Sequence, residues 1–144
     1  MSTKSTWFTR SFMAACAVCA LVAAGAAAAD ETSFDIALAG SGDPDGSGEG
    51  AVTIDSETNQ VSWEIRYSNI DEPTAMHIHE GAAGESGGVA VALTVEKDTE
   101  GNLVGLTNAP AEVVQSILAA PSNYYVNIHN AEHRGGAVRG QLGD

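Results

Sequence analysis

The stretch MHIHEG, at residues 76–81, guides the interpretation of the whole chain. Met76 and Ile78 alternate here with His77 and His79, and successive side chains of a β-strand point to opposite faces. The stretch therefore predicts a strand with one apolar face and one imidazole face. Two residues on the same face lie roughly 6.6 Å apart along a strand, so both imidazoles can converge on one ion.

Alternation of apolar with polar or small residues recurs on both sides of this stretch. Further strands are predicted at residues 34–38, 51–55, 61–67, 89–95, 102–106, 124–129 and 137–142. Turns rich in glycine or acidic residues separate them, and the strands at 51–55 and 61–67 are expected to form a hairpin. About seven or eight short strands with such turns predict an all-β antiparallel sandwich or barrel.

Residues 109–120 have the periodicity of a helix rather than of a strand. Their apolar stripe consists of Val113, Val114, Ile117 and Leu118. Asn108 is the expected N-cap, and Pro110 is expected in the first turn. We expect this short helix to pack across an open end of the sheet.

Residues 1–29 have the composition of a secretory signal peptide. Lys4 and Arg10 give a positively charged N-terminal region before the apolar run at residues 11–24, and alanines 27–29 provide a small-residue cleavage site. The run is shorter than the roughly 20 residues that a membrane-spanning helix needs, which argues against the alternative of a membrane anchor. Cleavage after residue 29 predicts a secreted or periplasmic protein without membrane attachment.

Both cysteines of the chain, Cys16 and Cys19, lie within the predicted signal peptide. A lipoprotein anchor on one of them is the alternative to cleavage, although Val18 stands before Cys19 where a lipobox has a small residue. Residues 30–144 contain no thiol, which excludes a disulfide framework, a thiolate metal site and a thiol nucleophile there. We expect residues 30–144 to form one domain.

The sequence is acidic, with a formal net charge of −13 at pH 7. All 19 acidic residues and four of the six basic residues follow residue 29, which leaves the predicted mature chain at −15. Nucleic acid and anionic membranes are therefore not expected partners, because binding to phosphate needs basic patches. Such a charge keeps a protein soluble and concentrates cations near it, with adaptation to high salt as the alternative explanation.

The two remaining histidines, His129 and His133, lie near the C-terminus, and His129 shares a predicted strand face with Asn127. All four histidines of the chain thus fall in two patches at strand ends. Neutral imidazole is a ligand for copper, zinc, nickel and iron, so the pattern predicts a transition-metal site. Structural histidines that bond to neighbouring side chains are the alternative that the spacing leaves open.

Charged residues flank both patches. Glu80 and Glu85 are candidates for a general base or a further ligand, with solvated carboxylates as the alternative. Arg139 is a candidate for attracting an anion to a metal, with an ion pair to a carboxylate as the alternative. The sequence does not favour an enzyme, because it contains no Gly-x-Ser-x-Gly elbow and no glycine loop that ends in Lys-Ser or Lys-Thr.

Three segments together resemble the CHRD (chordin-type) domain. They are HIHEGAAGESG at residues 77–87, YVNIH at residues 125–129 and GGAVRGQL at residues 135–142. The resemblance covers nearly all of residues 33–142, with departures at Arg134 and Ala137. It implies an immunoglobulin-like β-barrel in the extracellular space or the periplasm. In animals the domain occurs within secreted antagonists of growth factors, which implies a role in protein interaction.

A more distant resemblance links the same segments to copper/zinc superoxide dismutases. Residues 76–80 resemble the copper-binding strand of those enzymes, and residues 135–139 resemble their C-terminal arginine segment. This resemblance implies copper ligands at His77, His79 and His129. The zinc-loop ligands and the disulfide of the enzymes have no counterpart here.

The leading hypothesis is an exported CHRD-type domain that binds copper, or in second place zinc, without catalysing a reaction. The expected metal ligands are His77, His79, His129 and His133, and the expected neighbours of the metal are Glu80, Asn127 and Arg139. One alternative is a metal-free module whose partner is an extracellular or envelope protein. Another is a copper enzyme that consumes superoxide.

Overall fold

The fold is an antiparallel β-barrel, seen in a computed structural model that describes residues 30–143. The predicted signal peptide at residues 1–29 lies outside the described residues. The strands are β1 (Glu31–Gly40), β2 (Ser47–Asp55), β3 (Gln60–Ser68), β4 (Pro73–Glu80), β5 (Val89–Leu93), β6 (Leu103–Asn108), β7 (Tyr124–Asn130) and β8 (Val138–Gln141). One helix, α1 (Ala111–Ala119), and a 3-10 turn (Pro121–Asn123) connect β6 to β7.

The strands of the described residues form one sheet in the order β5-β4-β7-β8-β1-β2-β3-β6, with every pair antiparallel. The sheet curls until its two edge strands, β5 and β6, approach each other, which nearly closes a barrel. The predicted all-β architecture with one short helix is thus confirmed. The predicted hairpin is confirmed as well, because β2 pairs with β3 along its whole length.

The apolar faces of the strands meet in a single core inside the barrel. Its fully buried side chains include Val52, Ile54, Val61, Ile65, Met76, Ile78, Leu103, Val126, Ile128 and Val138, together with Val114 and Ile117 of α1. These residues come from the alternating positions that the sequence marks as apolar, so the period of two brings them to one side. On β4 the same alternation turns His77 and His79 outward.

Strand β7 departs from simple alternation because all seven of its residues are buried. The loop between β7 and β8 covers its outer face: Asn127 donates to the Gly135 carbonyl, and His129 bonds to the Arg134 carbonyl. Farther along, the guanidinium of Arg139 lies over the ring of Tyr125. The outward side chains of β7 are therefore shielded from solvent by polar groups that lie outside the core.

The helix begins later than the sequence predicts, and the expected N-cap at Asn108 is wrong. Asn108 is the last residue of β6 and pairs with Gln60, so the ladder holds it in the extended conformation. Pro110 occupies the N-cap position instead, without a side-chain bond, and its carbonyl accepts hydrogen bonds from Val113 and Val114. Within the described residues, no helix is long and apolar enough to cross a bilayer.

Replacement of a core residue away from the histidines measures how much the barrel depends on its packing. Ile65 is 0 % exposed, so Ile65→Ala leaves a cavity and is expected to lower the free energy of unfolding by about 2–5 kcal/mol. Leu106, which is 62 % exposed, is the matched control, and Leu106→Ala is expected to change it by less than about 0.5 kcal/mol. Urea titration monitored by circular dichroism makes the measurement. Equal losses in the two variants would contradict this description of the core.

Candidate metal centre

Three of the four histidines converge on the outer surface of adjacent strands. His77 and His79 lie on β4, and His129 lies on the neighbouring strand β7. One ring nitrogen from each lies within 4.8 Å of the other two. The closest pair is His77 Nδ1 and His129 Nε2, which are 3.1 Å apart. The described residues thus bring together three imidazoles that the sequence separates by up to half the domain.

Backbone carbonyls determine which nitrogens of two of these rings carry protons. His79 Nδ1 lies 3.1 Å from the Gly87 oxygen, and His129 Nδ1 lies 3.0 Å from the Arg134 oxygen. Because a carbonyl oxygen only accepts hydrogen bonds, each Nδ1 is the donor in the neutral ring, and each Nε2 keeps a free lone pair. Metal-binding histidines in proteins are commonly held in this way, with the second nitrogen bonded to a carbonyl or carboxylate.

The lone pairs of the two Nε2 atoms face different surroundings. His129 Nε2 accepts a hydrogen bond from His77 Nδ1, since its own proton is on the opposite nitrogen. His79 Nε2 is buried and has no hydrogen-bond partner among the described residues. A buried acceptor without a partner costs free energy unless a water molecule, a ligand or an ion satisfies it.

The surroundings keep two of these imidazoles in the neutral form. Burial is the largest cause of a lowered pKa at His77, and the charges of His129 and His79 add to it. Burial also lowers the pKa of His129; the bond to the Arg134 carbonyl opposes this shift, and His79 reinforces it. Neutral imidazole is the form that binds a metal ion, so the lowered pKa values favour coordination over protonation at these two rings.

A stack of planar groups supports the ring of His79. The ring of Tyr125 lies parallel to that of His79, with a centroid distance of 5.1 Å and an angle of 9°. The guanidinium of Arg139 lies 3.5 Å from the centroid of the Tyr125 ring. This order places an arginine, a phenol and an imidazole across three neighbouring strands.

Arg139 bonds to backbone oxygens rather than to a carboxylate. It donates to the carbonyls of Ala82 and Glu85 and to the side-chain oxygen of Gln141. The alternative of an ion pair with a carboxylate is therefore wrong within the described residues. The guanidinium instead fastens the loop of residues 81–88 to β8.

The other expected neighbours of the metal lie close in sequence but do not bond to the histidines. Glu80 ends β4 with an exposed side chain, and its backbone N–H donates to the Gly88 carbonyl. Asn127 is buried, and its amide nitrogen donates to the Gly135 carbonyl at 3.2 Å. Both residues shape the loops that border the site.

His133 is not part of the convergent group. Its Nε2 lies 3.7 Å from an oxygen of Asp43, on the loop between β1 and β2. Its backbone N–H donates to the side chain of Asn130, which holds the turn that follows β7. The predicted fourth ligand therefore connects two loops, whereas the group of possible ligands in the described residues contains His77, His79 and His129.

Several contributors to the site have no strong signal in the sequence. The carbonyls of Gly87 and Arg134 orient two imidazoles, yet every residue has the same carbonyl group. The signal that points to them is indirect, namely the glycine-rich loops at residues 81–88 and 135–136. Gly81 has a φ of 152°, a conformation that residues with a side chain rarely adopt, so this loop needs glycine where it leaves β4.

The site is open to solvent on one side. A surface groove reaches His77 and His129, and its other lining residues are Thr74, Ala75, Asn130, Ala131 and Arg134. His77 and His79 are half-buried, whereas His129 is 8 % exposed. An ion can therefore reach the histidines without rearrangement of the barrel.

Comparison with protein-family models identifies the class. The model of the CHRD domain matches residues 28–142, and the chain therefore belongs to the CHRD domain family. CHRD domains are typically extracellular modules, and membership alone leaves the module's function open. Neither the curated proteins nor the solved structures gave a match.

The lowered pKa values predict a pH dependence for the metal-free protein. In the folded chain His77 and His129 have pKa values below the value of about 6.5 expected for unfolded histidine, so the unfolded chain binds protons first as the pH falls. Their contribution to stability is complete above about pH 6.5 and is lost as the pH falls towards the lowered folded values. The free energy of unfolding is therefore expected to decrease between about pH 7 and pH 5.

Urea titrations of metal-free protein across this range make the measurement. Most carboxylates titrate at lower pH, near about 4, so the histidines dominate the interval. The double variant His77→Gln/His129→Gln is the control and is expected to show a flatter dependence. An equal slope in both proteins would contradict the assigned cause.

Proposed function

We propose that this CHRD domain binds one transition-metal ion through His77, His79 and His129, with copper(II) preferred and zinc second. The observation that carries the proposal is the convergence of three imidazole nitrogens within 4.8 Å of one another. Copper(II) lies above zinc in the general order of affinities for nitrogen ligands, and both suit imidazole. His133, Glu80, Asn127 and Arg139 are outside the proposed ligand set.

The distances suit an ion of this size. Metal–imidazole bonds of about 2.0–2.1 Å place two nitrogens of one tetrahedral site roughly 3.3 Å apart. His77 Nδ1 and His129 Nε2 are already 3.1 Å apart. An ion bound by both would replace their hydrogen bond, and the His77 proton would then be carried by Nε2, so that Nδ1 offers its lone pair. His79 Nε2 supplies the third lone pair and gains the partner that it lacks.

We assign a binding role because, within the described residues, no other acid or base side chain is bonded to the three histidines. The candidate ligand group in the described residues contains no carboxylate, and Glu80 is exposed at the end of its strand. The groove beside His77 and His129 leaves a position for water or another small ligand of the ion. We therefore assign the domain to metal binding outside the cytoplasm, either secreted or in the periplasm after removal of residues 1–29.

A metal-free interaction module is the second candidate. Its support is the hydrogen bond between His77 and His129, which already satisfies two of the three rings. The nitrogen of His79 without a partner supports metal binding over this alternative, in addition to the convergence of the three rings. The two functions differ in what His79 is needed for, because only metal binding requires its free lone pair as a ligand.

Metal content after dialysis tests the proposal directly. We expect about one copper or zinc ion per chain in the purified protein after loading, measured by elemental analysis. His79→Ala is expected to abolish retention because it removes one of three ligands. His133→Ala is the matched control: it removes the histidine that pairs with Asp43 and is expected to retain one ion per chain. No retention by the unsubstituted protein, or equal retention by both variants, would reject the proposed site.

The same protein tests the superoxide-consuming alternative. Copper-loaded protein is expected to consume superoxide no faster than an equal concentration of copper in buffer, since the proposed role is binding. Faster consumption that is lost in His79→Ala would instead establish a copper enzyme.

Acid is expected to release the ion. Ligand histidines must be neutral, so the affinity should fall below roughly pH 6 as protons compete with the metal. Competition against a chromogenic chelator at about pH 7 and pH 5 measures the change. An affinity that does not change over this interval would be inconsistent with coordination by three imidazoles.

A further inference from the structure

We infer that Arg139 is a positioning residue for the metal ligand His79, acting through the ring of Tyr125 and through the loop of residues 81–88. The inference rests on the proposed metal site and assigns to Arg139 a role other than attracting an anion. Two independent sets of contacts support it. The first set stacks on the plane of the His79 ring, and the second holds the carbonyl that bonds to its Nδ1 atom.

The face of the ring is fixed by stacking. Tyr125 is the cross-strand partner of His79 between β4 and β7, and the two rings are nearly parallel, at 9°. On the far side of Tyr125, the guanidinium of Arg139 lies 3.5 Å from the ring centroid. Tyr125 is 3 % exposed, so its ring is clamped between the other two groups and transmits the position of one to the other.

The edge of the ring is fixed by the loop that follows β4. The Gly87 oxygen accepts the His79 Nδ1 proton, which leaves the lone pair on Nε2 for a ligand. Arg139 donates to the carbonyls of Ala82 and Glu85 in the same loop. A glycine-rich loop has little stiffness of its own, so these bonds add to the backbone hydrogen bonds at Gly81, Glu85 and Gly88 in fixing its carbonyls.

A second side chain completes the fastening of this loop. Gln141 lies two residues beyond Arg139 on β8. Its side-chain amide nitrogen donates to the carbonyls of Gly81 and Ser122 and lies 3.3 Å from the Tyr124 carbonyl, which shares one of the two hydrogens. Its side-chain oxygen accepts a bond from Arg139, so the two residues act as one unit. Strand β8 thus holds both ends of the connection between the His79 strand and the strand of Tyr125.

Arg139 differs from other basic residues of this acidic chain in the kind of partner it binds. Arg66 and Lys97 pair with the carboxylates of Glu49 and Glu72, as expected in a chain with 19 acidic residues. Arg139 bonds to neutral oxygens and an aromatic face instead. Its charge lies behind the Tyr125 ring relative to His79, which keeps a cation out of contact with the metal ligand while its planar group still supports the stack.

The test measures His79 in the metal-free protein and metal affinity separately. Nuclear magnetic resonance of the imidazole nitrogens reports the tautomer of each ring and the exchange rate of its Nδ1 proton. Competition with a chromogenic chelator reports the affinity for copper(II). The variants are Arg139→Ala, Arg139→Lys and Tyr125→Leu. Two controls accompany them: Tyr125→Phe keeps the aromatic ring, and Arg66→Ala removes an arginine far from the site.

We expect Arg139→Ala and Tyr125→Leu to mix the tautomers of His79, to speed exchange of its Nδ1 proton and to lower copper affinity about 10- to 100-fold. Arg139→Lys keeps the charge but not the planar group, so it is expected to resemble Arg139→Ala. The Nδ1 proton of His129, which the Arg134 carbonyl holds, is expected to change in none of them. Both controls are expected to stay within about twofold of the original affinity.

The outcomes separate this inference from the proposed function. If the unsubstituted protein does not bind copper, the proposed function fails, and the tautomer measurement still decides the role of Arg139. If Arg139→Ala and Tyr125→Leu leave the His79 tautomer and proton exchange unchanged, the positioning role is overturned whatever the metal does. Equal changes at His79 and His129 would also overturn it, because they would indicate general loosening of the barrel.

Discussion

The pairing of β4 with β7 is the constraint on which the site depends. In that ladder His79 lies opposite Tyr125, and His129 lies close enough to complete the group. Side chains alternate between faces, so a shift by one residue would turn the imidazoles into the core and expose Met76 and Ile78. The free energy gained by burying those apolar residues therefore also specifies the geometry of the polar face.

The strands could be predicted because each has one buried face. Residues 61–67 and 76–80 show their period of two in the sequence, and the structure places their apolar positions in the core. The start of α1 could not be predicted from the capping preference of Asn108, because the ladder with β3 holds that residue. Burial of the outer face of β7 was also hidden, since the covering loop bonds through carbonyls.

The site, like the fold, has parts that the sequence predicts and parts that it does not. Spacing on one strand identifies His77 and His79 as neighbours. The clustering of the four histidines in two patches adds His129 and His133, and the resemblance to a family supports His129. The distance of His133 from them depends on the turn after β7 and on Asp43, neither of which has a recognisable pattern. The partners of Arg139 were unpredictable for a related reason: in so acidic a chain a carboxylate is the expected partner of an arginine, and the loop supplies carbonyls instead.

The use of backbone oxygens to orient imidazoles has a consequence for how such a domain can diverge. Side chains along residues 81–88 and 131–136 can be exchanged freely wherever they face water, because the bonds to His79 and His129 come from the main chain. Loop length is far more restricted, since one inserted residue displaces the carbonyl. Among domains that keep this histidine arrangement, we expect variable residues at the water-facing loop positions, glycine at the positions of Gly81, Gly87 and Gly136, and constant loop length.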